Sequence, residues 1–193
     1  MEDQKLNYII VHGSPRGPKF WTPVGHKKRW STWLKAELEK RRFDVYTPSM
    51  PVPWQPIYKD WEEEFEKLPV HEDTVLIGHS DGGAFLPRWL GENHKKIKKL
   101  ILIAPGKKIG DYPNAKHNRE LYDFEINPNI KHLVKEGVVI FTFPEEPPHR
   151  KENVDLYQKL LGARVISLKG KGHFKYEDMG NSEFPELLKE ALE

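Results

Sequence analysis

Six short runs rich in β-branched and apolar residues are spaced along the chain: Tyr8 to Val11, Asp44 to Thr47, Thr74 to Ile77, Leu100 to Ala104, Val138 to Phe143 and Arg164 to Leu168. Several are apolar at consecutive positions. A strand with one wet face alternates apolar and polar side chains, whereas a continuous apolar run needs cover on both faces, as a parallel strand between helices has. The intervening segments supply that cover. Trp30, Trp33, Leu34 and Leu38 fall on one helical stripe with Lys35, Glu39 and Lys40 outside it. Trp61, Phe65 and Leu68 repeat the spacing with Glu62, Glu63, Glu64 and Lys67 outward, and Val154, Tyr157 and Leu161 do so again. The expected fold class is therefore α/β: a three-layer α/β/α sandwich on a mostly parallel sheet of about six strands, joined by right-handed crossovers.

The 193 residues, 37% hydrophobic and 11% aromatic, suffice for one substantial core, so a single domain over residues 1–193 is expected. The absence of cysteine excludes a disulfide framework, Cys-ligated zinc, iron-sulfur clusters and a thiol nucleophile. Neither a metal nor a cofactor is expected. Lys and Arg total 31 against 29 Asp and Glu, and a net charge of +2 argues against a nucleic-acid partner. The charged start, Met1-Glu2-Asp3-Gln4-Lys5, lacks the apolar stretch of a secretory signal. No run approaches the roughly 20 apolar residues of a membrane span. These features predict a cytoplasmic protein with no membrane partner. The cluster Lys95, Lys96, Lys98 and Lys99 is expected as solvated surface. The stretch from Gly106 to Lys131 is expected as a small lid or a long helix connection.

The chemistry is concentrated in three places. Val75-Leu76-Ile77 leads into Gly78-His79-Ser80-Asp81-Gly82-Gly83, a G-x-S-x-G pattern between a strand and a helix running through Leu90. Such a turn strains and exposes the serine, and glycines two residues away on either side avoid collision. Ser80 is the nucleophile candidate, and Pro87 predicts a kink in the following helix. His173 lies after the last strand within Lys169-Gly170-Lys171-Gly172-His173-Phe174, where a base can reach back over the sheet. Phe143-Pro144-Glu145-Glu146-Pro147-Pro148 offers two carboxylates to orient it, with Glu146 favoured and Glu145 as the alternative acid. Backbone N–H groups of Asp81 and Ser14 are expected to form the oxyanion hole. His12, Gly13, Arg16, His79 and Trp54 are candidate substrate-binding residues, although His79 is better suited to structural hydrogen bonding than to the base role, Arg16 to exposed surface and Trp54 to packing. No Walker loop or G-x-G-x-x-G follows the first strand, which argues against nucleotide binding.

His12-Gly13-Ser14-Pro15, Gly78-His79-Ser80-Asp81-Gly82 and Gly172-His173-Phe174 together resemble the α/β-hydrolase superfamily. Trp30-Ser31-Thr32-Trp33-Leu34, Met50-Pro51-Val52-Pro53 and Trp61 then follow in the order seen in its small lidless serine hydrolases, the group of retinoblastoma-binding protein 9 and the YdeN proteins. The resemblance covers nearly the whole chain. It implies a minimal fold with little or no cap, and a Ser-acid-His triad acting on ester-like or amide-like bonds of a small acyl substrate, with Ser80 as nucleophile and His173 as base. The chain departs from the pattern at the acid, where the family has Asp-Pro and this sequence has Glu146-Pro147. That departure motivates a second expectation, a binding module on a hydrolase scaffold.

Overall fold

The structure, a computed structural model, describes residues 5–15, 17–22, 28–108 and 119–193. Strand and helix alternate: β1 (Asn7–Val11), α1 (Trp30–Lys40), β2 (Asp44–Tyr46), α2 (Tyr58–Phe65), β3 (Thr74–His79), α3 (Asp81–Asn93) and β4 (Lys99–Ile103). The second half comprises α4 (Arg119–Tyr122), α5 (Ile130–Leu133), β5 (Val138–Thr142), α6 (Pro148–Leu161), β6 (Arg164–Ser167), α7 (Tyr176–Met179) and α8 (Pro185–Leu192). All six strand runs read from the sequence form strands. They make one sheet in the order β2-β1-β3-β4-β5-β6, with every pairing parallel, so the sheet is wholly rather than mostly parallel.

The continuous apolar runs have a direct explanation in the pleat. Ile9 and Val11, Leu76, Leu100 and Leu102, and Val138 and Ile140 face one core, shared with Trp61 and Phe65 of α2, Phe85 and Trp89 of α3 and Tyr157 of α6. Their neighbours Tyr8, Ile10, Val75, Ile77, Ile101, Ile103, Val139 and Phe141 face a second core on the opposite side, with Trp30, Leu34 and Leu38 of α1 and Leu187 of α8. Successive strand residues point to opposite faces, so a strand covered on both must be apolar at every position. β1, β4 and β5 are buried throughout, whereas the edge strands β2 and β6 are partly exposed.

Three local expectations are corrected. Glu62 is buried rather than outward, because Lys59, the Tyr58 hydroxyl and Asn93 satisfy its carboxylate. Leu68 lies beyond the end of α2. Lys99 is not solvated: it pairs with buried Glu190 of α8 at 3.3 Å, and Arg164 holds the other carboxylate oxygen at 2.6 Å. Pro87 lies within α3, as the sequence placed it. In the Gly106 to Lys131 stretch the described residues form α4 and α5, while 109–118 lie outside the described residues.

The strand order fixes where a site can form. From β1 the chain moves out to β2 and then crosses back to β3 on the other flank of β1. Connections leaving β1 and β3 thus depart in opposite directions and open a crevice at their carboxyl ends, the topological switch point of an open α/β sheet. Val11 ends β1 and His79 ends β3, so His12-Gly13-Ser14 and Ser80 meet there.

Candidate active site

Ser80 turns the chain from β3 into α3 with φ 52° and ψ −106°, a strained left-handed conformation held by its surroundings. Its N–H donates to the Ile103 carbonyl at 2.9 Å, and its own carbonyl accepts from Ala84 and Gly106. The flanking glycines are required by space: a Cβ at Gly78 would stand 2.5 Å from the Gly82 carbonyl oxygen, and one at Gly82 2.3 Å from that of Val11. The elbow is therefore pressed against the end of β1.

His173 is brought opposite by the loop after β6. Phe174 anchors that loop by stacking on Phe184 in the second core, centroids 5.3 Å apart. The His173 N–H donates to Asp178 Oδ2 at 3.0 Å, and its carbonyl accepts from His79 Nε2 at 2.9 Å. The imidazole Nε2 then lies 3.0 Å from Ser80 Oγ. The structure thus brings together the serine and histidine singled out in the sequence. His79 lines the same cavity, but its ring is committed to holding the His173 loop. Burial lowers its pKa to about 4, with Lys175, Arg150 and Arg29 adding to the effect. Burial also depresses the His173 pKa well below its ordinary value, helped by His79, Arg150 and Lys175, so the imidazole is neutral at physiological pH.

The acid is where geometry and expectation part. Glu145 is exposed, and Glu146 is buried with neither carboxylate oxygen hydrogen-bonded. Burial raises the Glu146 pKa to about 7 against the opposing influence of Arg150 and of the nearby Thr142 hydroxyl. A carboxyl so buried favours its neutral form, and a neutral carboxyl has little pull on an imidazole. The His173 Nδ1 is met instead by Arg150 Nη1 of α6 at 2.5 Å. A guanidinium only donates, so Nδ1 accepts and the ring proton resides on Nε2, which then donates to Ser80 Oγ. This tautomer is the reverse of the one a general base needs. The sequence reading missed Arg150, although it stands only four residues after Glu146.

The loop after β1 is ordered by His12, whose Nδ1–H donates to the Gly13 carbonyl at 3.0 Å while Nε2 accepts the Met50 N–H at 3.1 Å. Gly13 lies against Ser80, where a Cβ would fall 2.9 Å from the serine Cβ. The Asp81 backbone opens the first turn of α3, whose N–H groups have no carbonyl partner within the helix. The buried Asp81 side chain has its pKa raised by desolvation, offset by hydrogen bonding from Ser14 and the Tyr122 hydroxyl. Ser14 thus turns its backbone N–H toward the Asp81 carboxylate as well as lining the cavity.

The cavity has a volume of about 560 Å³. Phe20, Lys28, Arg29 and Lys175 line it, residues that the motif-based reading passed over because none belongs to a motif. Trp54 is absent from its described walls, and Arg16 lies outside the described residues. Among the described residues no group of three or more His, Asp or Glu is placed to hold a metal ion, and no helix is long and apolar enough to cross a membrane.

Comparison with solved structures places the fold among known ones. The crystal structure of the ydeN gene product from B. subtilis superposes with a TM-score of 0.77 at 20% identity, over 96% of this chain and 98% of that one. A CIB-like hydrolase from Thermoplasma acidophilum gives 0.63 at 15% identity, over 100% and 87%. The methylesterase protein MES16 from Arabidopsis gives 0.62 at 14%, over 97% of each chain. No curated protein matches the sequence. At such identities the superpositions speak for the fold alone, an α/β-hydrolase sheet. The family model described as serine hydrolase matches residues 9–191, nearly the whole chain, and with a strained Ser80 facing His173 at the switch point, this chain belongs to that serine hydrolase family.

Proposed function

We propose that the chain hydrolyses carboxylic esters of small substrates through an acyl-enzyme on Ser80. The observation that carries this reading is the 3.0 Å approach of His173 Nε2 to the Oγ of a serine strained at an elbow. In the reaction Oγ attacks the acyl carbonyl as its proton passes to Nε2, and the resulting oxyanion is received by the backbone N–H of Asp81 and by that of Ser14, which must turn to it from the Asp81 carboxylate. His173 delivers the proton to the departing alcohol oxygen as the carbon–oxygen bond breaks. A water then attacks the acyl-enzyme, gives its proton to His173, and the acid leaves as Ser80 recovers its proton. The base role requires Nδ1–H to face an acceptor, so Arg150 must withdraw from Nδ1 and ionised Glu146 take its place. No cofactor enters this scheme.

Fluorophosphonate labelling beside hydrolysis of 4-nitrophenyl acetate tests it. Ser80→Ala is expected to abolish labelling and lower turnover by about 10³-fold or more with unchanged circular dichroism. Equal activity in that variant would sink the proposal. The Arg150 contact favours one rival, a binding module on the same scaffold, and a folded wild type that never reacts with the probe would establish that rival instead.

A further inference from the structure

Arg29 and Lys28 stand on one wall of the Ser80 cavity, and among the described residues neither makes an ion pair. Arg29 is half-buried. Its guanidinium stacks 4.1 Å from the ring centroid of Trp21, and Trp21 packs on His12 at 4.4 Å. His12 in turn fixes Gly13 against Ser80. An arginine held in this way is positioned as part of the site, not as a free surface charge, and leaving it there without a counterion is unfavourable. Lys28 lies over the ring of Tyr176 at 5.1 Å, so its ammonium too is directed along the cavity wall.

We infer that the substrate carries an anionic group, a carboxylate or phosphate, which Arg29 receives with Lys28 in the cavity that holds Ser80. The inference rests on the hydrolase reading for the reaction and on the cavity alone for the anion. Two carboxylates share the wall and do not cancel these charges. Asp178 accepts the His173 N–H and lies against Gly172, while Glu177 is exposed, and neither reaches ion-pair distance of Arg29 or Lys28. The field inside the cavity agrees. Arg29, Arg150 and Lys175 act on His79, and Arg150 and Lys175 act on His173, all in the direction that disfavours a further positive charge. Phe20, Trp30 and Tyr176 line the same cavity and give it apolar surface for the body of an ester. The occupant is therefore a small ester with an apolar body and one anionic end.

Two matched pairs test this. Mono-4-nitrophenyl glutarate is compared with 4-nitrophenyl valerate, and 4-acetoxybenzoate with its methyl ester, placing the charge on the acyl or the leaving side. Wild type is expected to favour the charged member of at least one pair by about tenfold in kcat/KM, a preference that shrinks as salt rises. Arg29→Gln should remove most of that ratio and Arg29→Lys restore part of it. Lys96→Gln, at the opposite end of the sheet, should leave the ratio within twofold. Equal rates in both pairs, or a ratio indifferent to Arg29, would overturn the inference while leaving the serine hydrolase intact. If no ester turns over, glutarate is titrated into the Ser80→Ala protein by tryptophan fluorescence, with 1,5-pentanediol as the uncharged control. Saturable binding of glutarate that Arg29→Gln abolishes sustains the anion site without the hydrolase, and its absence refutes the site as well.

Discussion

Glu146 carries a pKa near 7 because its carboxyl is buried, a shift that Arg150, the nearby Thr142 hydroxyl and Lys151 oppose without cancelling, and this has two measurable consequences. The first concerns catalysis. His173 is already neutral in the physiological range, so the ionisation that governs the base is that of Glu146. The kcat/KM of wild type should rise about tenfold per pH unit below pH 7 and level off above it. Glu146→Gln should lower the plateau and erase that limb; an unchanged limb would remove Glu146 from the mechanism. The second concerns stability. With the folded pKa above the ordinary 4.5, the native state holds a proton that the unfolded chain releases, so stability falls as pH rises from about 4.5 to 7 and is steady beyond. Glu146→Gln should therefore unfold like wild type at pH 4.5 but be more stable by about 1–3 kcal/mol at pH 8, read from urea midpoints. A variant weaker than wild type at pH 8 would show that the carboxylate is paired after all. Sequence reasoning could choose the loop but not this environment, since burial and the reach of Arg150 are properties of the packed chain.

At the level of elements, the β3–α3 elbow and the docking of α8 bear the largest consequences. The elbow was legible because steric need writes itself as Gly78 and Gly82, and a single Cβ at either would enter a carbonyl oxygen's space. Gly78→Ala should destabilise the protein by roughly 1–3 kcal/mol and slow fluorophosphonate labelling of Ser80 along with it. Labelling at the wild-type rate would mean the turn yields without moving the serine. The attachment of α8 was not legible. Lys99 stood in a basic cluster that looked solvated, and its partner Glu190 is 91 residues away in sequence. Glu190 joins Lys99, buried in β4, to Arg164 on the edge strand β6, and the Tyr8 hydroxyl adds a bond to the Ala191 carbonyl at 3.0 Å. Removing the charge by Glu190→Gln leaves the Lys99 ammonium buried and uncompensated, an expected loss of about 3 kcal/mol in chemical denaturation. A loss below about 0.5 kcal/mol would mean Lys99 finds water on its own.

Across the whole molecule, the same strand pattern that revealed the architecture also predicts how it comes apart. Continuous apolar runs at Tyr8–Val11 and Leu100–Ile103 could be read as doubly covered strands because the pleat sends their residues alternately into two cores. The edge strands β2 and β6 were found in the sequence by their β-branched residues, not by continuous burial, since each is only partly buried. The cavity was not legible as a whole. Its motif residues were found, whereas Lys28, Arg29 and Lys175 reach it from loops with no local signature. Because β1, β3, β4 and β5 each contribute to both cores, neither layer of helices can leave without exposing strands that the other layer also covers. We propose on this ground that the chain unfolds as one cooperative unit. Native-state hydrogen exchange should give the amides of β1, β3, β4 and β5 a common slowest opening free energy that matches global unfolding, with β2 and β6 opening more easily. Two separate plateaus, one for the α1–α8 face and one for the α2–α3–α6 face, would refute it, since the central strands could not then be binding both layers into a single transition.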